Sequence, residues 1–243
     1  MGAPASRTTA RGKRSLGDDP LPALLELVRP GASISSLSPT GREGARVRIR
    51  VGRRIATTLP RSTIEAIGLR AGAMWTESLA RPIAEAAWLD GVRLAAARML
   101  NRRHLSRASL VRALVQRGAP EPLARRAAED MAALGAIDES ALAESLVSRA
   151  MAQRPAGPRL LRQKLAVKGV PRAVAERAIE AATAERDAAA DALLLAERAL
   201  ARVPASLPAA TKARRLLGAL ARRGFGPDVA RAATREAMKR AGW

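Results

Sequence analysis

Cysteine and tyrosine are absent from this 243-residue chain, and histidine and phenylalanine occur once each, as His104 and Phe225. Without cysteine there is no disulfide framework, no thiolate zinc site and no thiol nucleophile. One histidine builds no histidine metal cluster, and a Ser/His triad would have to use His104. That residue follows Arg102 and Arg103 at an expected helix end, a place for capping or a surface role. No apolar run approaches the roughly 18 residues of a membrane-spanning helix. Residues 1–20 hold no apolar segment of the kind a secretory leader needs. The scarcity of aromatics removes the stacking platforms on which single-strand binders hold bases. Glu129 with Asp130, and Asp138 with Glu139, are carboxylate pairs at a helix end and a helix start, where acids are commonplace. Gly68–Gly72 lacks the GK[ST] tail of a phosphate loop. The expectation is a non-enzymatic, cytoplasmic protein with no cofactor, no metal and no membrane partner.

What the chain has instead is alanine, 56 residues of it, and base: 43 Lys+Arg against 22 Asp+Glu, a net charge of +21. Alanine favours thin helices that pack closely. The charge argues for a polyanionic partner or an acidic protein surface.

The pattern changes along the chain. Residues 1–30 lack hydrophobic periodicity and read as a disordered basic arm, with a helical turn or two at 22–28. Val47, Ile49 and Val51 alternate with Arg46, Arg48 and Arg50, the two-residue period of a half-buried strand. With Ser33–Ser38 before it and Ile55–Leu59 after it, this predicts a three-stranded antiparallel meander that Pro60 ends. Ser62 is a candidate cap for a short helix ending at Gly68. A small β module at 31–80 results, and Trp75 and Trp88 are expected to pack it against the first helical repeat.

From about residue 81 the pattern is helical and it repeats. Gly118, Gly169 and Gly224 stand 51 and 55 residues apart, each preceded by a base: Arg117, Lys168, Arg223. Leucine precedes each glycine by four residues (Leu114, Leu165, Leu220) and by eight (Leu110, Leu161, Leu216). Alanine comes six residues after each (Ala124, Ala175, Ala230) and nine after (Ala127, Ala178, Ala233). Leucines one turn apart share a helix face, and the glycine ends that helix in a left-handed position. Pro120, Pro171 and Pro227 start the next helix. The expected architecture is mostly α: three tandem three-helix repeats, at 81–136, 137–184 and 185–243, behind the β module and the arm. Units this small are expected to share apolar faces with their neighbours.

Charge tracks the repeat. The second helices, 106–118, 157–169 and 209–224, hold no acid and carry +3, +4 and +5. The third helices carry −1, 0 and +2. A recognition helix entering the major groove would be the base-rich one in third position, so operator reading is disfavoured. The candidate contacts with a polyanion are therefore Arg107, Arg112, Arg117, Arg159, Arg162, Lys164, Lys168, Lys212, Arg214, Arg215, Arg222 and Arg223.

Four stretches resemble the RecX family. They are Arg98–Gly118, the Leu134-Gly-Ala-Ile-Asp138 joint, Gly157–Gly169, and the Leu220-Ala-Arg-Arg-Gly-Phe225 corner. The β module looks like an N-terminal extension that some members carry. The chain departs from the family at Ala136, where an aromatic is usual, and in a thinned acidic stretch at Asp138, Glu139 and Glu144. The resemblance implies a monomeric, non-enzymatic regulator of RecA. It would bind in the groove of the RecA–single-stranded-DNA filament and limit its extension, ATP hydrolysis and strand exchange. A general nucleic-acid-binding helical protein, and a scaffold that contacts only acidic proteins, stay open beside it.

Overall fold

The computed structural model describes Leu16 and residues 18–243 apart from Glu185. Most of the expected arm lies outside the described residues. The helical turn expected at 22–28 is present as α1 (Leu21–Leu25), and the correction is that this stretch does not belong to a disordered arm: Leu24 and Leu27 are buried in the core of the β module. The reason is Trp75, buried to 1 % exposure, whose indole N–H donates to the Leu24 carbonyl at 3.1 Å.

The strands are β1 (Ile34–Thr40), β2 (Arg46–Val51) and β3 (Arg54–Pro60), antiparallel in that order. Val47, Ile49 and Val51 are buried, and the arginines between them oppose Thr40, Ser38 and Ser36 of β1. Pro60 closes β3 and precedes α2 (Arg61–Ile67). The cap expected of Ser62 is not made, because the cap position falls two residues earlier, at Pro60, and the Arg61 N–H donates to the Ala45 carbonyl at 2.9 Å.

Helix α3 (Glu77–Leu100) runs without a break through the boundary expected at 80/81. Ala80, Ile83 and Ala84 complete the β-module core, and Leu89, Val92, Ala96 and Met99 are buried further along the same helix. Trp88, half-buried, donates to the Leu16 carbonyl at 2.7 Å. Asp90 of α3 takes the charge of Arg46 at 2.5 Å, and Arg46 also donates to the Thr58 carbonyl at 3.0 Å. The hydrogen bond to Asp90 holds the Arg46 guanidinium above its ordinary pKa.

Eight helices come next: α4 (Arg107–Val115), α5 (Glu121–Ala133), α6 (Glu139–Gln153), α7 (Pro158–Val167), α8 (Arg172–Thr183), α9 (Ala188–Leu200), α10 (Ala209–Arg222) and α11 (Pro227–Arg240). The chain forms two compact units. One holds the described residues up to Met99 with Leu110–Ala133, the other Leu100–Ser109 with the described part of Leu134–Trp243. In the second unit α6–α8 close on Leu142, Val147, Leu161, Leu165 and Ile179. Helices α9–α11 close on Leu195, Leu216, Leu220, Phe225 and Met238. In these two trios the buried leucines and alanines thus form a core internal to the trio. Buried Ala143, Ala175, Ala178, Ala192, Ala196 and Ala233 let the helix axes approach, so a short trio still closes around its leucines. Each buried leucine contributes about 1.5–3 kcal/mol.

Candidate polyanion-binding cleft

The glycine corners have one geometry. Gly118, Gly169 and Gly224 have φ of +92°, +69° and +82°. Each glycine N–H donates three residues back, to Val115, Ala166 and Ala221, at 2.8–2.9 Å. The next N–H, of Ala119, Val170 or Phe225, reaches the Leu114, Leu165 or Leu220 carbonyl at 3.1–3.2 Å. This is the Schellman closure, and the side chain after each glycine is buried as that motif requires.

The corners then serve as docking points. The Lys168 carbonyl at the end of α7 accepts from the hydroxyls of Ser106 (2.6 Å) and Ser109 (2.7 Å) at the start of α4. The Arg223 and Gly224 carbonyls at the end of α10 accept from the N–H groups of Gly157 (2.8 Å) and Arg159 (3.3 Å) at the start of α7. At the α10–α7 joint the free N–H groups of one acid-free helix thus meet the free carbonyls of another, with dipoles head to tail. Ser106 also caps α4 by accepting from the Ser109 N–H at 3.1 Å. Ser106→Ala removes the cap and takes one donor from the Lys168 carbonyl. Urea unfolding should report a loss of about 1–2 kcal/mol; an unchanged midpoint would show that the joint does not stabilise the fold.

The twelve candidate side chains divide. Arg107, Arg112, Arg117, Arg159, Arg162, Lys164, Lys168, Arg214, Arg215 and Arg222 are exposed. Arg162 is paired with Glu176 of α8 at 2.8 Å. The hydrogen bond between them raises the Arg162 pKa and lowers that of Glu176. Lys212 is corrected as a surface contact. It is 2 % exposed, its Nζ donates to the Ala205 carbonyl at 2.8 Å, and it stands 3.1 Å from the centroid of the Trp243 ring. That cation–π contact also gives Trp243 a role. Arg223 is part of the joint, donating to the carbonyls of Pro155 (2.9 Å) and Arg154 (2.5 Å). Burial first, and the Arg154 charge second, hold its pKa below the ordinary arginine value.

The structure gathers Arg214, Arg215, Arg222 and Arg223 with three arginines that sequence reasoning missed: Arg154, Arg198 and Arg202. The seven line an open cleft of about 1020 Å³ formed by α9, α10 and the end of α6. Leu195, Leu216 and Ala219 contribute apolar surface to it. No carboxylate lines it, and among the described residues none of Arg154, Arg198, Arg202, Arg214, Arg215 and Arg222 forms an ion pair. The acids nearby are used elsewhere: Glu197 and Glu236 both hold Arg240, at 3.1 and 2.8 Å. The signal in the sequence was Arg198 and Arg202, four apart and so one turn apart at the end of α9. Guanidinium forks match phosphate oxygens bidentately, and the cleft holds no aromatic ring on which a base could stack. Among the described residues no group of three or more His, Asp or Glu side chains could hold a metal ion, and no helix is long and apolar enough to cross a membrane.

Comparison with known proteins agrees with this helical plan. The profile of "RecX, second three-helix domain" matches residues 138–179, from the cap of α6 into α8. Regulatory protein RecX of Mycobacterium tuberculosis (strain ATCC 25618 / H37Rv) is 33% identical over 135 residues, 55% of this chain and 78% of the relative. Regulatory protein RecX of Halorhodospira halophila is 37% identical over 145 residues, 59% of this chain and 86% of the relative. The chain belongs to the RecX family. Two crystal structures share its fold at 21% identity. One, of a regulatory protein RecX, superposes with a TM-score of 0.68 over 82% of this chain and 96% of its own. The other, RecX from Lactobacillus salivarius, gives 0.52 over 61% and 96%. These RecX relatives are named as regulatory proteins, not as enzymes, and membership implies a regulator of RecA.

Proposed function

We propose that this RecX-family chain binds the RecA–single-stranded-DNA filament and limits its extension, ATP hydrolysis and strand exchange, as a cytoplasmic monomer. The observation that carries the reading is the acid-free cleft of seven arginines. Seven guanidiniums held together repel one another, and an extended polyanion relieves that repulsion while releasing its own counterions. The end-to-end docking of α7 on α10 supports a long contact, because Arg159, Lys164 and Lys168 then continue from the module that holds the cleft. The boundaries 81–136, 137–184 and 185–243 fit this reading as the three repeated modules, with Arg107, Arg112 and Arg117 the contribution of the first.

The same cleft favours a second reading, nucleic-acid binding with no RecA role. A titration of the chain into RecA hydrolysing ATP on single-stranded DNA separates the two. Inhibition at less than one chain per RecA supports filament capping. Inhibition only when the chain covers the DNA supports the second reading, and no inhibition at excess removes the first. Arg214→Glu with Arg215→Glu should raise the half-inhibiting concentration at least roughly tenfold, about the effect of one lost charge-assisted contact, without changing the circular dichroism.

A further inference from the structure

We infer that the β module carries a separate seat for a phosphate ester of a nucleic-acid strand, built from Arg29, Arg53 and Arg54. A cavity of about 380 Å³ opens between the loop that enters β1 and the tight turn that joins β2 to β3. Arg29 comes from the first of these, Arg53 and Arg54 from the second, and Ser33 and Ser35 add hydroxyls at its wall. The two segments are tied together, since the Ser35 hydroxyl donates to the Gly52 carbonyl at 2.7 Å. Gly52, at φ +55°, makes the sharp turn that presents the two arginines.

Other arginines of the module are engaged in the fold. Arg46 of the same sheet is neutralised by Asp90, and Arg61 donates to the Gly44 carbonyl at 3.2 Å. Arg29, Arg53 and Arg54 are exposed, no carboxylate lines the cavity, and among the described residues none of the three forms an ion pair. Three forks and the Ser33 hydroxyl offer more donors than one carboxylate accepts. A tetrahedral phosphate, with several accepting oxygens, fits the set better than the side chain of an acidic protein. With no aromatic side chain at the wall, the seat reads the strand's backbone and not its bases. This seat stands in the first compact unit and the arginine cleft in the second, so the chain would grip a strand at two places.

The test is fluorescence anisotropy of the full chain with a labelled oligothymidylate across a series of salt concentrations. Four proteins are compared: wild type, Arg53→Gln with Arg54→Gln, Arg214→Gln with Arg215→Gln, and all four changes together. Each phosphate contact contributes about 0.7 to the slope of log K against log salt on a single strand. Losing two contacts in the β module should lower that slope by about 1.4, in wild type and again in the background that lacks Arg214 and Arg215. Because the second comparison is made without those two arginines, a failure of the cleft reading and a failure of this one give different patterns. A wild-type slope and affinity in Arg53→Gln with Arg54→Gln overturns the proposal. So does loss of the Arg53- and Arg54-dependent part to inorganic phosphate no more concentrated than the oligonucleotide's own phosphates at constant ionic strength, which would make the seat one for the free anion; displacement only at large excess is the result expected of a phosphodiester seat. So too does weakened binding of a polyglutamate with oligothymidylate binding intact, which would assign the cavity to an acidic protein.

Discussion

Gly224→Ala is expected to separate α7 from α10 and to destabilise the chain by about 3–5 kcal/mol. Two penalties coincide at this residue. Its φ of +82° is a conformation that L side chains rarely adopt. An added Cβ would also stand 2.2 Å from the Leu160 nitrogen and 2.9 Å from the Gly157 carbonyl oxygen. Those are backbone atoms of the facing helix start, so no rotamer change relieves the clash. The mirror substitution, Gly157→Ala, meets the Gly224 oxygen at 2.3 Å and should fail at the same joint although its own φ is ordinary. Gly218→Ala is the control. It lies inside α10, where a Cβ meets only the end of the Arg222 side chain at 3.3 Å. There the helix propensity of alanine should stabilise by about 0.5–1 kcal/mol. Urea unfolding of the three variants gives opposite signs if the joint is a backbone-to-backbone contact. A Gly224→Ala protein as stable as wild type would mean the helix ends do not meet.

The repeat and its corners were legible because they are local. Leucines four apart define a face, and a glycine after a basic residue ends a helix, whatever lies around it. The meander was legible for the same reason, through the strict alternation of Val47, Ile49 and Val51 with arginine. The cleft was not, because it depends on how α9 crosses α10 and on where the α6–α7 joint leaves Arg154. Its missing members, Arg154, Arg198 and Arg202, sit in a first helix and at helix ends, outside the second helices whose charge follows the repeat. Lys212 shows a signal that was present and unread. It precedes Leu216 and Leu220 by four and eight residues, which places it on the buried stripe. It also stands twelve residues before its glycine, as Ser106 and Gly157 do, and both of those are buried docking residues. In the third copy the Ala205 carbonyl and the Trp243 ring fill the place that a neighbouring corner takes in the other two.

That distinction between the repeat and the cleft decides which arginines matter, and the expected result is specific. Arg198→Glu with Arg202→Glu changes two residues that belong to no second helix but line the cleft. Arg159→Glu with Lys164→Glu changes two exposed residues of a second helix that do not line it. All four side chains are exposed, so neither pair should alter the circular dichroism, and the two variants carry the same net charge. If the cleft is the seat, the first variant weakens oligothymidylate binding by roughly 1–3 kcal/mol per reversed contact at low salt, by analogy with a lost charge-assisted hydrogen bond. It should also flatten the salt dependence by about 1.4 in the log–log slope. The second variant should retain most of the affinity and lose a smaller part of RecA inhibition, through the extended end of the contact. The reverse ranking would place the polyanion along α7 and leave the cleft as a pocket of unused charge. Equal losses would mean that only net charge is read, and that neither surface positions the partner.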